Sequence, residues 1–501
     1  VNTNGGARTL VVNNGGAAGV TGIFTVASGS AAISNLQLGV SGNAGQAIVN
    51  LNGGILYANI IKGLGAGATK TFNFNGGTLA ALASRGDFMS GLTQVNISTN
   101  GAIIDSRGFD ITIAQALEHE ASLGVVQDGG LRKLGNGRLI LSSSNTYDGL
   151  TVVEAGSLRI QHGSGLGSTL GATVVSNNAR VELAGGITVE GETITINGIG
   201  GNNQGALQAF SGSNTWGSQV ILGSGTGPSG TRVGAANGAA LDISGQITNV
   251  GGTFDLGIRN DSLPNSVTII SGSNNVYRDT YAVVGTLAIG SGDDRLPTST
   301  LLHIGNGAEV ASATFDLNGF NQRIGGLISD GTNMPVFVTN SAAGITSRLT
   351  INTAAPRLYR GSIIGDIELE KTGTGMQELR GISTYTGQTI VSNGTLRLNG
   401  AHFGGGQYSV MSGATLSGTG LIDAAVHILA GGIVAAFAGF AMALPVVAVL
   451  GGVVGVAGLA VSGQGLAVWR QAEKLAFAMN PSGAVNEQMA AAAFKSDAVL
   501  T

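Results

Sequence analysis

Lys133–Ile160 reads KLGNGRLILSSSNTYDGLTVVEAGSLRI, and the same phrase returns at Lys371–Leu398 as KTGTGMQELRGISTYTGQTIVSNGTLRL. Aligned without a gap, twelve of the twenty-eight positions are identical, among them Lys133/Lys371, Gly135/Gly373, Gly137/Gly375, Tyr147/Tyr385, Gly149/Gly387 and Gly156/Gly394. Between these fixed points the apolar residues alternate, which puts every second side chain of a strand on one face. The glycines fall where the chain must turn, and glycine alone adopts a left-handed backbone without steric strain. The phrase therefore reads as strand, corner, strand, and these twelve residues define the repeat.

The same grammar recurs elsewhere with less identity, as in Val49–Ile61 (VNLNGGILYANII), Phe72–Leu82 (FNFNGGTLAAL), Val95–Asp105 (VNISTNGAIID), Thr231–Ile243, Tyr408–Leu416 and Val426–Val434. No such unit can bury its apolar face alone, so copies must stack. The expectation is an all-β chain, a parallel β-helix (β-solenoid), with coils of roughly 20 to 25 residues about 4.8 Å apart. Asparagines at the corners, Asn52, Asn75, Asn318 and Asn399, suggest amide ladders along the axis.

Composition agrees. Of 501 residues, 86 are Gly and 7 are Pro, 43% are hydrophobic, 10% are charged and 5% are aromatic. Glycine without a three-residue period and with so little proline excludes collagen, and the apolar content excludes disorder. A formal net charge of −4 provides no basic stripe for nucleic acid. The absence of cysteine excludes disulfides, thiolate metal sites and a cysteine nucleophile.

K-x-G-x-G, then N/S-T-Y-x-G-x-T-x-V, then G-x-L resembles the autotransporter-associated β-strand repeat of bacterial surface proteins. Ile103–Ala116 and Phe315–Asp330 resemble connecting coils of the same proteins. The resemblance implies a right-handed β-helix that is secreted or displayed at a bacterial cell surface. It also implies roles in adhesion, self-association or scaffolding, with an enzymatic domain only in some members. The final residues, Lys495–Thr501, do not read as the closing strand of a membrane barrel, so a recognisable C-terminal barrel is not expected in this sequence.

Three regions are expected: a solenoid over 1–424, an uncharged Gly/Ala/Val-rich segment over 425–465, and a short helical tail or cap over 466–501. Ile428–Val468 contains no Asp, Glu, Lys or Arg. Its length suits a membrane hairpin broken at Pro445, whereas its glycines and the Val426–Val434 pattern suit further coils or an assembly segment.

Catalytic candidates are few. Enzymes of carbohydrate chemistry built on β-helices need clustered carboxylates, within about ten ångströms for a glycosidase. Asp293-Asp294 sits in a Gly/Pro surface loop, and Glu118-His119-Glu120 lacks the paired histidines of a zinc helix and reads as a solvated coil edge. Gly163–Gly167 and Gly223–Gly227 lack the lysine of a phosphate cradle and read as loops. Tyr147 and Tyr385 read as packed corner residues, and Trp216 is ambiguous. No catalytic residue, metal ligand or cofactor is assigned. The expected function is an extracellular structural or adhesive rod or fibre; the alternatives are a polysaccharide-degrading β-helix enzyme and a membrane-anchored scaffold. Expected partners are further copies of the chain, other surface proteins or glycans, with membrane contact through 428–468 and no nucleic acid.

Overall fold

The computed structural model describes residues 8–13, 19–39, 45–261, 265–305, 311–329 and 335–435, and the backbone of Val446–Leu450 and Val453–Ala457. The chain forms two units, Val1–Tyr277 and Arg278–Thr501. Among the described residues the only helical pieces are three single turns of 3₁₀ helix at Ala121–Leu123, Gly201–Asn203 and Gly227–Ser229. Both units are parallel β-solenoids.

In the first unit the strands fall into columns, each strand hydrogen-bonded to its counterpart one coil away. One column runs through Leu131–Leu134, Thr151–Val153, Thr173–Val175, Ile194–Ile196 and Val220–Leu222, all parallel. A second runs through Arg138–Leu141, Ser157–Ile160, Arg180–Ala184, Leu207–Ser211 and Thr231–Ala235. Register is set by the inward row: Leu139 pairs with Leu158, Leu158 with Val181, Val181 with Leu207 and Leu207 with Val233, and all five are fully buried. A slip of one residue would turn the whole row outward. Burying each aliphatic side chain is worth about 1.5–3 kcal/mol relative to exposure, which is why the period-two pattern decides the fold.

Coils vary more in length than the sequence suggested. Side-chain hydrogen bonds between neighbouring coils span 19 residues at one place (Thr173 to Glu192) and 31 at another (Ser329 to Arg360), because corner loops absorb insertions without disturbing the rows. An asparagine ladder of three members lies off the expected corners. It runs on the outward face of strands, Asn96 Nδ2 donating to Asn73 Oδ1 (2.9 Å) and Asn73 Nδ2 to Asn50 Oδ1 (2.8 Å). Of the corner residues, Asn75 accepts from Asn100 Nδ2 (2.8 Å), Asn399 Nδ2 donates to Glu378 and Asn318 Nδ2 to the Ile289 carbonyl.

The second unit repeats the architecture. Ser347–Asn352, Ile367–Thr372, Thr389–Val391, Tyr408–Val410 and Val426–Ile428 form one parallel column. Val446–Leu450 extends it in parallel and then pairs antiparallel with Val453–Ala457. No helix among the described residues is long and apolar enough to cross a membrane. The helical tail expected over 466–501 lies outside the described residues, as does the rest of the apolar segment.

Candidate functional site: a carboxylate cleft beside the first repeat

Lys133 lies in the inward row of its column, paired with Ile104 on one side and Val153 on the other, and it is fully buried. Its stem replaces an aliphatic side chain, and its ammonium donates to the carbonyls of Leu134 (2.9 Å), Gly135 (2.8 Å) and Ala155 (3.0 Å). Lys371 repeats this between Ile351 and Val391, donating to Thr372 (2.5 Å), Gly373 (3.0 Å) and Asn393 (3.1 Å). Each lysine thus ties its own corner to the corner of the next coil. Burial pushes both ammonium groups down to about 8.

The glycines make this approach possible. Gly135 and Gly373 turn with φ of +77° and +74°, and Gly156 and Gly394 with +67° and +65°. Gly137, Gly149, Gly375 and Gly387 are needed for closeness instead: a Cβ on any of them would collide with the backbone of the neighbouring coil.

Tyr147 and Tyr385 are buried, their hydroxyls bonded to Thr151 Oγ1 (2.8 Å) and Thr389 Oγ1 (2.6 Å). Beyond them the two repeats diverge. In the second, the His402 ring stacks on Tyr385 at 3.9 Å, its Nε2 donates to the Tyr385 carbonyl (2.8 Å), and Tyr408 donates to its Nδ1 (3.0 Å). That pairing fixes the neutral tautomer, and burial lowers the pKa of His402. The corner is sealed.

In the first repeat the glycine-rich loop Gly163–Gly167 crosses Tyr147, and a Cβ on Gly167 would strike the tyrosine. Asn145 holds this loop, accepting from Leu117 N (2.9 Å) and donating to Gly165 O (2.6 Å). Beside it opens a cleft of about 240 Å³, whose walls include Ser144, Thr146, Ser164, Leu166, Ser168 and Thr169. Glu190 and Glu192 close the cleft, brought to one side by the turn at Gly191 (φ +75°). Glu192 is buried; its Oε1 accepts from Thr173 Oγ1 (2.7 Å) and its N–H donates to Ser218 Oγ (3.1 Å). Desolvation pushes its carboxyl up to about 7, against the pull of the Thr173 hydrogen bond.

A family model, the passenger-associated-transport-repeat, matches residues 131–160 and 369–398, the segments that carry both lysine clamps. The chain is autotransporter-passenger-like. Over 441 residues it is 27% identical to a protein named adhesin BmaC autotransporter from Brucella suis biovar 1 (strain 1330), an alignment covering 85% of this chain and 11% of that relative. The chain therefore spans about a tenth of the relative's length. No solved structure matches significantly.

A polar knot that the local sequence hides borders the first passenger repeat. His119 Nδ1 lies 3.0 Å from Asp128 Oδ2 and 3.3 Å from Asp148 Oδ1, so Glu118-His119-Glu120 is not merely a solvated edge. Burial opposes the charge of the ring, but the hydrogen bond to Asp128 and the charges of Asp148 and Asp128 raise the pKa of His119. The three side chains have the donor types and proximity of a metal site. Asp128, however, already accepts from the N–H groups of Gly130 (2.9 Å), Gly149 (3.0 Å) and Asp148 (2.9 Å), so it fastens the Gly149 corner of the passenger repeat. In the second unit Asp293 and Asp294 act similarly, accepting from the backbone of Asn321 (2.8 Å) and Arg323 (2.7 Å) one coil on. Trp216 is fully buried in the core. The sequence reading missed Glu190 and Glu192; the signal for them was the E-G-E triplet at a corner.

Proposed function

We propose that this chain is a segment of a bacterial surface adhesin: a right-handed β-solenoid shaft, displayed or released outside the cell, whose corner loops make the adhesive contacts. The observation that carries this reading is the similarity over 441 residues to a protein named an autotransporter adhesin, anchored by the two passenger repeats. The geometry supports it, because the stacked rows hold a stiff interior while corner loops of variable length carry exposed apolar side chains. Val125, Val126, Leu150 and Leu170 stand 103%, 58%, 46% and 74% exposed on loops of the first unit. Gln127 joins two of those corners, donating to the carbonyls of Asp148 and Leu170. Exposed apolar groups on a protein with so little surface charge suit contact with a partner surface.

Beads coated with the purified chain, applied to epithelial monolayers, test this reading. Binding several-fold above albumin-coated beads is expected, and equal binding overturns it. Self-association of the shaft belongs to the same proposal, since the exposed apolar side chains of its corner loops can meet those of a second copy. It is read by sedimentation velocity, where mass rising with concentration is expected and a strict monomer overturns it.

A further inference from the structure

We propose that the cleft beside the first passenger repeat binds carbohydrate, one hexose-sized ring held through its hydroxyl groups by Glu190, Glu192 and the hydroxyl side chains of the opposite wall. The site names a ligand class for the adhesive reading and rests on that reading for its biological setting, while its chemistry stands on the geometry of the cleft.

Size is the first argument. A volume of about 240 Å³ falls just below the roughly 300–1,000 Å³ of pockets that hold drug-sized ligands, and it suits a single ring. Charge is the second. Among the lining residues, Glu190 and Glu192 are the only ionisable side chains, with no lysine, arginine or histidine beside them. Such a cleft rejects anions and calls for hydrogen-bond donors. The remaining wall includes Ser144, Thr146, Ser164, Ser168 and Thr169, whose hydroxyls both donate and accept, together with Asn145, Leu166 and two glycines. A sugar ring offers the matching set, several hydroxyls that each donate to a carboxylate and accept from a serine or threonine.

The placement of Glu192 is the third argument. Its residue is 4% exposed, yet only Oε1 is engaged by a side chain, that of Thr173. Thr173 on the side chain and Ser218 on the backbone N–H hold this carboxyl in place at the cleft wall, so it is preorganised for a hydroxyl donor. The second repeat argues the same way from the other side. There His402 and Tyr408 fill the space next to the equivalent tyrosine, so the passenger framework is stable with that corner closed. The opening in the first repeat is a departure from its twin and is not required by the coil.

Saturation-transfer NMR on the full chain tests the site, using methyl glycosides of glucose, galactose, mannose and N-acetylglucosamine, with glucuronic acid as the anionic control. At least one neutral glycoside is expected to bind with a millimolar Kd, while glucuronic acid gives no transfer at pH 8. Glu192→Gln keeps the shape of the side chain and is expected to weaken binding about tenfold, the loss of one charge-assisted hydrogen bond. Glu190→Ala, at an exposed position, is the fold-safe companion and is expected to weaken binding several-fold with an unchanged melting curve. Transfer to none of the glycosides overturns the proposal, as does binding undiminished in both variants, or calcium binding that displaces the sugar. Bead adhesion that fails while glycoside binding persists refutes the adhesive reading alone; adhesion that persists without any glycoside binding refutes the site alone.

Discussion

Replacing Lys133 with methionine removes the ammonium from the interior row and leaves the stem. Two of its carbonyl partners, Gly135 O and Ala155 O, are corner groups with no other hydrogen bond among the described residues, whereas Leu134 O keeps the Ser106 N–H (3.0 Å). Two unpaired carbonyls cost about 2–6 kcal/mol together. The variant is also relieved of burying a cation, worth roughly 3 kcal/mol from a pKa that falls from 10.5 to about 8. The two effects nearly offset at neutral pH, so the informative variable is pH. In the unfolded chain Lys133 holds its proton up to 10.5, and in the folded chain only to about 8. Between those values the unfolded state binds more protons, and stability rises with pH by about 1.4 kcal/mol per unit. This contribution is complete above 10.5 and lost as pH falls to about 8. Urea unfolding of both proteins, followed by far-UV circular dichroism, is expected to show wild type gaining roughly 2 kcal/mol on Lys133→Met between pH 8 and 10. Buried tyrosines titrate in both proteins and cancel in the difference. Parallel curves across that range refute the buried, charged lysine.

Leu158→Ala opens a cavity in the row between Leu139 and Val181 and is expected to lose about 2–5 kcal/mol in the same assay, whereas Val152→Ala, on the outward face of its strand, is expected to lose less than about 1 kcal/mol. Gly137→Ala places a Cβ against the Phe109 carbonyl and is expected to lower the melting temperature by several degrees, because the neighbouring backbone must shift. His402, held neutral by burial, contributes stability that is present above its unfolded pKa of about 6.5 and lost as pH falls below it. The stability difference between wild type and His402→Gln is therefore expected to shrink from pH 7 to pH 5.

The local grammar was legible because alternation and glycine corners are short-range features, and the Leu139–Val233 row follows from them directly. Lys133 could be quoted as a repeat residue, but not placed inward. In Leu-Arg-Lys-Leu either parity puts one leucine in the core, and only the pairing with Ile104 and Val153 settles it. What remained hidden depends on which residue lies one coil away. Glu192 takes its partners from Thr173 and Ser218, 19 and 26 residues distant, and His119 meets Asp148 with the strands Leu131–Leu134 and Arg138–Leu141 lying between them in the chain. Since coils differ in length, no fixed offset finds such neighbours. Asn50, Asn73 and Asn96 do recur at a constant 23 residues, so that ladder was readable from spacing, although composition at the corners drew attention elsewhere.

The central claim is in-register stacking of successive coils, and a chain with no cysteine permits a direct test. Val152 pairs with Val174, and Val174 with Thr195, on the outward face of one column. Adjacent strands lie about 4.8 Å apart, within disulfide reach, while strands two coils apart lie about twice as far and beyond it. Cysteines at 152 and 174 should therefore form an intramolecular disulfide rapidly and quantitatively under mild oxidation, and cysteines at 152 and 195 should remain free. The reverse result, or equal cross-linking of both pairs, contradicts the stacked solenoid.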